Sequence, residues 1–435
     1  MLAAAVRTGS VLICLASVLL LVTPCAGAET TRREQSASLY DLVMQTRQAR
    51  LSGDSKGWLE YGQRVLERAP DHPDLLISVG RALAANGRLD DALGRLEEAV
   101  RRGAGFDLST FPELKSAPDD ARTRALRERA LKNMTPVAPS EVFLTIQDES
   151  LDPEGITWDP IGSRLYIGSL RGEIWRVDLD AKLQRFAGPD SGLREVLGLK
   201  VDAKRRLLWA VTGVFPDLFA APGEPKKDVG VTGLHAYLLD SGKRVRACTL
   251  DERPVLHGFN DMALASNGDV YVTDTSTNAI YRLSGNGCQF DRILHDSALS
   301  FPNGIVLTPN ESRLYVAHVE GISAVEVRTG KRTLLPVPMD GAVNSIDGLA
   351  WDGKEVLGIQ ASPYLLRVAR IRLADDGLSI QAVSTVSSRP PLGLNPTTGV
   401  VVNGHFYSVA GFPDAIAAQA GQPQPLSRIL RARLR

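Results

Sequence analysis

The chain has 435 residues, of which 44% are hydrophobic and 23% charged, the composition of a globular protein long enough for two or three domains. Its 50 Lys and Arg balance 50 Asp and Glu, so no global charge points to nucleic acid or an anionic membrane surface as a partner. A mean hydropathy of -0.06 excludes a polytopic membrane protein.

Residues 1–28 read as a signal peptide rather than as fold. Arg7 supplies a positive n-region, and Val11 to Val22 an apolar stretch too short for a comfortable spanning helix. Ala26-Gly27-Ala28 is a small-residue cleavage site. Cleavage after Ala28 predicts export, periplasmic or secreted, with no membrane insertion afterwards. Cys248 and Cys288 then remain in the mature chain. An oxidising compartment permits them to pair; two buried free thiols are the alternative, because sequence supplies no distance.

Residues 36–134 read as an all-α domain. Gly53-Asp54 and Pro70-Asp71-His72-Pro73 interrupt a helical period. Gly80, Leu83, Gly87, Ala92, Leu96 and Ala99 fall at the small and apolar positions of a tetratricopeptide-like unit, where small residues let antiparallel helices approach. Asp119 to Met134 predicts a further capping helix. So few repeats are rarely stable alone, so the domain is expected to pack against the C-terminal part of the chain. It is either a spacer or a groove for a protein partner. Residues 135–140 are a linker by composition, with Thr135-Pro136-Val137-Ala138-Pro139 at its centre.

From residue 141 to 435 the pattern changes to short alternating strands with Gly and Asp turns. One position recurs six times: Glu154-Gly155-Ile156, Leu197-Gly198-Leu199, Asn260-Asp261-Met262, Asn303-Gly304-Ile305, Asp347-Gly348-Leu349 and Thr398-Gly399-Val400. The copies stand roughly 43 to 51 residues apart, with one gap of about 63 that holds a Pro/Gly/Lys-rich insertion. Units of this length with four short strands are propeller blades, and six of them predict an all-β six-bladed β-propeller. The strand at Glu141 to Ile146 has no blade of its own and is expected to close the ring beside Arg428 to Leu434. The longest face loops, Val214–Thr232 and Ala410–Gln424, would lie over the axis as lids or specificity walls.

The first residue of each copy carries the chemistry. Glu154 and Asp347 offer carboxylates, Asn260 and Asn303 amide carbonyls. This all-oxygen set suits a hard divalent cation, Ca²⁺ first and Mg²⁺ or Mn²⁺ next, whereas zinc would want His or Cys. Asp and Asn also start strands simply by bonding nearby backbone. Four at equivalent points of different blades argue for a site. Asp274 and Gln360 lie on face loops without a stronger claim.

Pro153-Glu154-Gly155-Ile156-Thr157-Trp158-Asp159, Phe259-Asn260-Asp261, Pro302-Asn303-Gly304-Ile305 and Ile346-Asp347-Gly348-Leu349 resemble the metal-site motifs of the senescence-marker-protein/gluconolactonase (regucalcin) family. They are similar also to paraoxonases and strictosidine-synthase-like propellers. The resemblance implies that Glu154, Asn260, Asn303 and Asp347 surround one divalent cation at the bottom of an axial pocket. It also implies hydrolysis of a small-molecule lactone or related ester. Asp347 could hold the metal and act as base toward water. The chain departs from its relatives at two places. Gly258 stands where gluconolactonase-type enzymes have a substrate-contacting Arg, and Leu197 where paraoxonases have a catalytic His. His257 and His318 are candidate substitutes. The competing expectation is a non-catalytic propeller whose cation is structural and whose face binds a protein or small ligand.

Overall fold

The computed structural model describes residues 38–148, 151–215, 227–390, 394–413 and 426–434. The segment predicted as a signal peptide, the middle of the 214–232 loop and most of the 410–424 loop lie outside the described residues.

The N-terminal domain is two antiparallel helical hairpins and a closing helix. Helix α1 (Leu39–Ser52) starts in a reciprocal capping box between Ser38 and Asp41 and ends at Gly53 with φ 76. There only a residue without Cβ takes the left-handed turn easily. Helix α2 (Ser55–Arg68) is capped by Asp54. Helix α3 (Pro73–Ala85) begins with Pro73 in its first turn, and α4 (Leu89–Arg101) returns against it. A Cβ on Gly80 would lie 3.1 Å from Leu96 Cγ and 3.2 Å from the Ala92 carbonyl, which is why a small residue stands at this crossing. Two short 3₁₀ turns (Leu108–Thr110 and Pro112–Leu114) lead to α5 (Ala121–Asn133), capped by Asp120. Leu76, Leu83, Leu93, Leu96, Phe106 and Leu126 form the shared core.

The rest of the chain forms six four-stranded antiparallel sheets. Strand β1 (Glu141–Thr145) precedes them. Blade 1 is β2 (Pro153–Asp159), β3 (Arg164–Ser169), β4 (Glu173–Asp178) and β5 (Leu183–Ala187). Blade 2 is β6 (Glu195–Asp202), β7 (Leu207–Gly213), β8 (Thr232–Leu238) and β9 (Arg244–Leu250). Blade 3 is β10 (Phe259–Leu264), β11 (Val270–Asp274), β12 (Ala279–Leu283) and β13 (Phe290–His295). Blade 4 is β14 (Ile305–Leu307), β15 (Arg313–His318), β16 (Gly321–Glu326) and β17 (Arg332–Leu334). Blade 5 is β18 (Ile346–Trp351), β19 (Val356–Ala361), β20 (Leu366–Leu373) and β21 (Ile380–Ser388). Blade 6 is β22 (Leu394–Val402), β23 (His405–Pro413) and β24 (Arg428–Arg433), and β1 supplies its outer strand. The fold is thus the six-bladed propeller that the spacing predicts. β1 pairs antiparallel with β24, Glu141 opposite Arg431 and Thr145 opposite Arg428, so the two ends of the propeller lock each other and neither is left as an open edge.

The innermost strands pack in ring order, β2 on β6, β6 on β10, β10 on β14, β14 on β18, β18 on β22 and β22 back on β2. At the head of these strands two residues face one on the partner strand. The pairing skips from Pro153 to Ile156, Val196 to Leu199, Phe259 to Met262, Ile346 to Leu349 and Pro396 to Gly399. In blade 4, Asn303 N–H donates to the Ala317 carbonyl and Ala317 N–H to that of Gly304, each at 2.9 Å. Such a bulge turns the first of its residues out of the ladder, and here that residue is Glu154, Leu197, Asn260, Asn303 or Asp347. In blade 6 the bulged pair is Thr397-Thr398, so Thr397 is the sixth copy of the position, not Thr398. Gly399 gives Thr398 the outward pattern of a first residue, because the other copies carry Gly or Asp second.

Cys248 on β9 and Cys288 before β13 form a disulfide with Cα atoms 5.0 Å apart and a sequence separation of 40. It staples blade 2 to blade 3. By loop closure alone it contributes about 4 kcal/mol. Cys288→Ser is therefore expected to lower the denaturation free energy by about 2–4 kcal/mol. Denaturant midpoints of wild type and variant, measured without reductant, check this.

The helices dock on the face where the innermost strands begin, over blades 4 and 5. Arg68 Nη2 donates to the Ser297 carbonyl at 3.1 Å and lies 3.6 Å from Glu320. Arg102 Nη1 donates to Gly341 O at 2.9 Å, Gly105 N–H to Tyr364 O at 2.8 Å, and Ser362 Oγ to Asp74 Oδ1 at 2.6 Å. Phe106 and Phe111 meet the Tyr364 ring edge-on at 6.2 and 6.3 Å.

Candidate functional site

The bulges bring the sequence-predicted oxygens to one end of the axis, all buried. Asn303 Nδ2 donates to Asp347 Oδ1 at 2.7 Å. Asn260 Nδ2 donates to Thr275 Oγ1 at 3.1 Å, and that hydroxyl donates to the Pro302 carbonyl at 2.7 Å, next to Asn303. Both amides therefore spend their nitrogens on the protein. The strand heads are also tied across blades. Gly304 N–H donates to Asp347 O at 2.7 Å, and Thr397 and Thr398 hydroxyls both donate to Glu154 O, at 3.0 and 2.6 Å.

Two side-chain oxygens in this group are buried without a hydrogen-bond partner, Glu154 Oε2 and Asn303 Oδ1. Buried oxygens in a protein are nearly always paired, and the group that would satisfy several at once is a cation. Asp261 is a third buried carboxylate nearby. Its Oδ1 takes a hydrogen bond from Lys200 Nζ at 3.1 Å and from Met262 N–H at 2.8 Å. Asp261 replaces the glycine of other copies, a departure visible in the sequence but read there as architecture. Thr275 and Thr397 carried no such signal. Among the described residues no cluster of three or more His, Cys, Asp or Glu forms a metal cage; the candidate set has only two acids and relies on amides for the rest.

The electrostatics fit the same reading. Burial pushes the Glu154 carboxyl well above the ordinary carboxylate range, and the charges of Asp347 and Asp261 push it further, against the pull of Thr397. Burial likewise raises Asp347 to about 7, with Asn303 pulling down and Asp261 pushing up. The folded chain thus binds these protons more tightly than the unfolded one. That stabilisation is complete below the unfolded value near ~4 and is lost as pH rises through the folded one. Cation-free protein is expected to lose up to about 1.4 kcal/mol of stability per pH unit for Asp347 alone between roughly pH 4 and 7. Added Ca²⁺ should flatten or reverse that slope, because it favours the ionised pair. Denaturation midpoints across this range, with chelator and with Ca²⁺, check both signs.

The two histidines sit in buried networks. His257 Nδ1 lies 2.6 Å from Asp274 Oδ2 and Nε2 3.1 Å from Glu252 Oε2. Burial alone would lower the pKa of His257, but the two carboxylates outweigh it and raise it. Asp274 Oδ1 meanwhile accepts from the N–H groups of Gly258, Ser276 and Thr277, and Asp274 is followed by Thr275, the residue that holds Asn260. His318 has Nδ1 at 2.8 Å from Glu320 and Nε2 at 2.8 Å from Ser323, so both ring nitrogens are engaged away from the axis. Gln360 is likewise spent, donating to Asn344 O at 2.9 Å and accepting from Arg367 at 2.6 Å.

The two departures from the resemblance have visible causes. A Cβ on Gly258 would lie 2.5 Å from Ser276 Oγ and 2.9 Å from the Phe215 ring, so a larger residue there would have to displace both side chains. Leu197 is buried in the apolar core between blades 2 and 3.

The family model described as SMP-30/Gluconolactonase/LRE-like region matches residues 153–361. No curated protein matches the chain. Among solved structures it is similar to the PQQ-bound aldose sugar dehydrogenase from Streptomyces coelicolor, at 14% identity over 69% of this chain and 99% of that one, TM-score 0.46. It is similar also to a streptogramin B lyase, at 15% identity over 62% and 79%, TM-score 0.43. Virginiamycin B lyase from Staphylococcus aureus matches at 14% identity over 68% and 99%, TM-score 0.44. The matched span holds blades 1 to 4, the two inner strands of blade 5 and all four candidate ligand motifs, which supports a propeller of the SMP-30/gluconolactonase, or regucalcin-like, kind over this part of the chain.

Proposed function

We propose that the chain is an exported, divalent-cation-dependent hydrolase that acts on a lactone or related ester at the axial site. The observation that carries this reading is the pair of buried acceptors without donors, Glu154 Oε2 and Asn303 Oδ1, beside a carboxylate with a raised pKa, Asp347. Glu154, Asn260, Asn303 and Asp347 would hold the ion, Ca²⁺ by preference and Mg²⁺ or Mn²⁺ otherwise. When bound there, a divalent cation supplies Lewis acidity toward a substrate carbonyl.

The chain's own residues supply the rest. Asn303 occupies Oδ1 of Asp347 but not Oδ2, so Oδ2 can accept a proton from water as the water oxygen bonds to the acyl carbon. The C–O bond to the alkoxide then breaks, and the proton held at Asp347 neutralises that leaving oxygen. The buried setting excludes bulk water from the acids, so the proton taken up at Asp347 is kept for the leaving oxygen. The Cys248–Cys288 disulfide supports export, because such bonds persist in oxidising compartments.

A screen of lactones and aryl esters with purified chain tests this. Turnover that chelator abolishes and Ca²⁺ restores is the expected result. A fully cation-loaded protein that hydrolyses none of them would instead favour a non-catalytic propeller that binds a protein or small ligand around a structural cation, a reading to which the crowded Gly258 position and the buried Leu197 lend weight.

A further inference from the structure

Two residues before the bulged position stand Asp152, Glu195, Gly258, Phe301, Ser345 and Asn395 in the six blades. Of these only Phe301 (φ 53) and Ser345 (φ 54) are left-handed. Neither residue type adopts that conformation readily, and for a bulky side chain it is an outlier that surroundings must impose. These are also the two blades on which the helical domain docks. The Tyr40 ring of α1 packs on the Phe301 ring, centroids 6.2 Å apart. His72 Nε2 lies 3.2 Å from Ser345 Oγ, and that hydroxyl donates to Asp74 Oδ2 at 3.4 Å, both partners at the start of α3. Asp74 is itself fixed by Ser362 at 2.6 Å. Below Phe301, Glu320 accepts from Ser300 Oγ at 2.7 Å and pairs with Arg68 of α2. Two residues after each left-handed turn come Asn303 and Asp347, bonded to each other.

We propose that the helical domain is a positioning element of the axial site: Tyr40 and the His72–Asp74 pair brace Phe301 and Ser345 in their left-handed turns and so set Asn303 against Asp347. A left-handed turn redirects the chain sharply, so its relaxation swings the next residues away from their partners. The brace explains why a domain outside the family's matched span, residues 153–361, sits on this face. It also assigns Tyr40, His72 and Asp74 a role in the site without contact to substrate. Of the two readouts that test it, only cation binding rests on the function proposed above.

The test uses the full chain with Asp74→Ala and, separately, Tyr40→Leu. Hydrogen exchange is followed at Asn303, Gly304, Ala317 and residues 346–349, alongside a Ca²⁺ titration. Asp74→Ala is expected to speed exchange at 346–349 about tenfold, leave β3 and β11 unchanged and weaken Ca²⁺ about tenfold. Tyr40→Leu should do the same at Asn303 and Gly304. Adding Ser345→Gly to Asp74→Ala, or Phe301→Gly to Tyr40→Leu, should restore both readouts, because glycine holds a left-handed turn unaided. Loss of docking alone would not be rescued this way. Unchanged exchange in both single variants overturns the proposal, as does faster exchange that glycine fails to restore. Should Asp74→Ala not fold, the Tyr40→Leu arm decides. If wild type binds no Ca²⁺, the cation reading fails while the exchange result still settles the brace.

Discussion

Asp347→Asn is expected to lower divalent-cation affinity at least about 100-fold, more than loss of an outer-shell group usually costs, and to remove hydrolysis by a similar factor. The substitution keeps the shape of the side chain and an oxygen to accept from Asn303 Nδ2, so the 2.7 Å bond survives. What it removes is charge. In the cation-free chain that charge is a burden: burial raises Asp347 to about 7, and Asp347 in turn helps to raise Glu154. The variant should therefore unfold no more easily than wild type at pH 7 with chelator present, and should gain much less from added Ca²⁺. A residue whose loss spares stability and abolishes binding is held for function, not for fold. Thermal unfolding with and without Ca²⁺, beside initial rates, separates the two effects. A variant with wild-type rates would remove Asp347 from the chemistry.

Gly155→Ala should act in the opposite sense, costing about 3 kcal/mol or more of stability. Its Cβ would stand 2.0 Å from the Leu197 carbonyl oxygen and 3.1 Å from the Leu197 carbonyl carbon. These are backbone atoms of the next blade, which cannot turn aside as a flexible side chain can. The innermost strands meet here, so the ring must open or the bulge must flatten, and either displaces Glu154. Gly287→Ala is the control. Its Cβ would meet only the Gln289 amide, at 3.9 Å, and its cost should stay within about 0.5 kcal/mol. Urea midpoints of the two variants measure the difference. Near-equal midpoints would mean that the ring is looser than its packing implies.

The glycines explain why so much of the propeller was legible. Close approach at the axis demands glycine as the second residue in four of the six copies, Gly155, Gly198, Gly304 and Gly348, and this constraint recurs at blade spacing whatever the function. The unmatched strand at Glu141 to Ile146 made closure legible for a similar reason, since β24 needed a partner. The four candidate ligands stood out because the residue just before that constraint is free to vary. Three things were hidden. The sixth copy slipped by one residue, because the bulge at Thr397-Thr398 shows only in the pairing with β23. Asp261 looked like another architectural residue until its carboxylate proved to be buried beside Glu154 and Asp347. The docking of the helices depends on single contacts such as Tyr40 on Phe301 and Asp74 on Ser345 and Ser362, which follow no period. The pairing of Cys248 with Cys288 likewise needed a distance.

The site's central claim is that Glu154, Asn260, Asn303 and Asp347 hold one divalent cation. Equilibrium dialysis of the chelator-stripped chain against Ca²⁺ tests it most directly, with Glu154→Gln alongside. One ion per chain on wild type, lost from Glu154→Gln, is the predicted result. No bound ion, or an ion retained unchanged by Glu154→Gln, would contradict it.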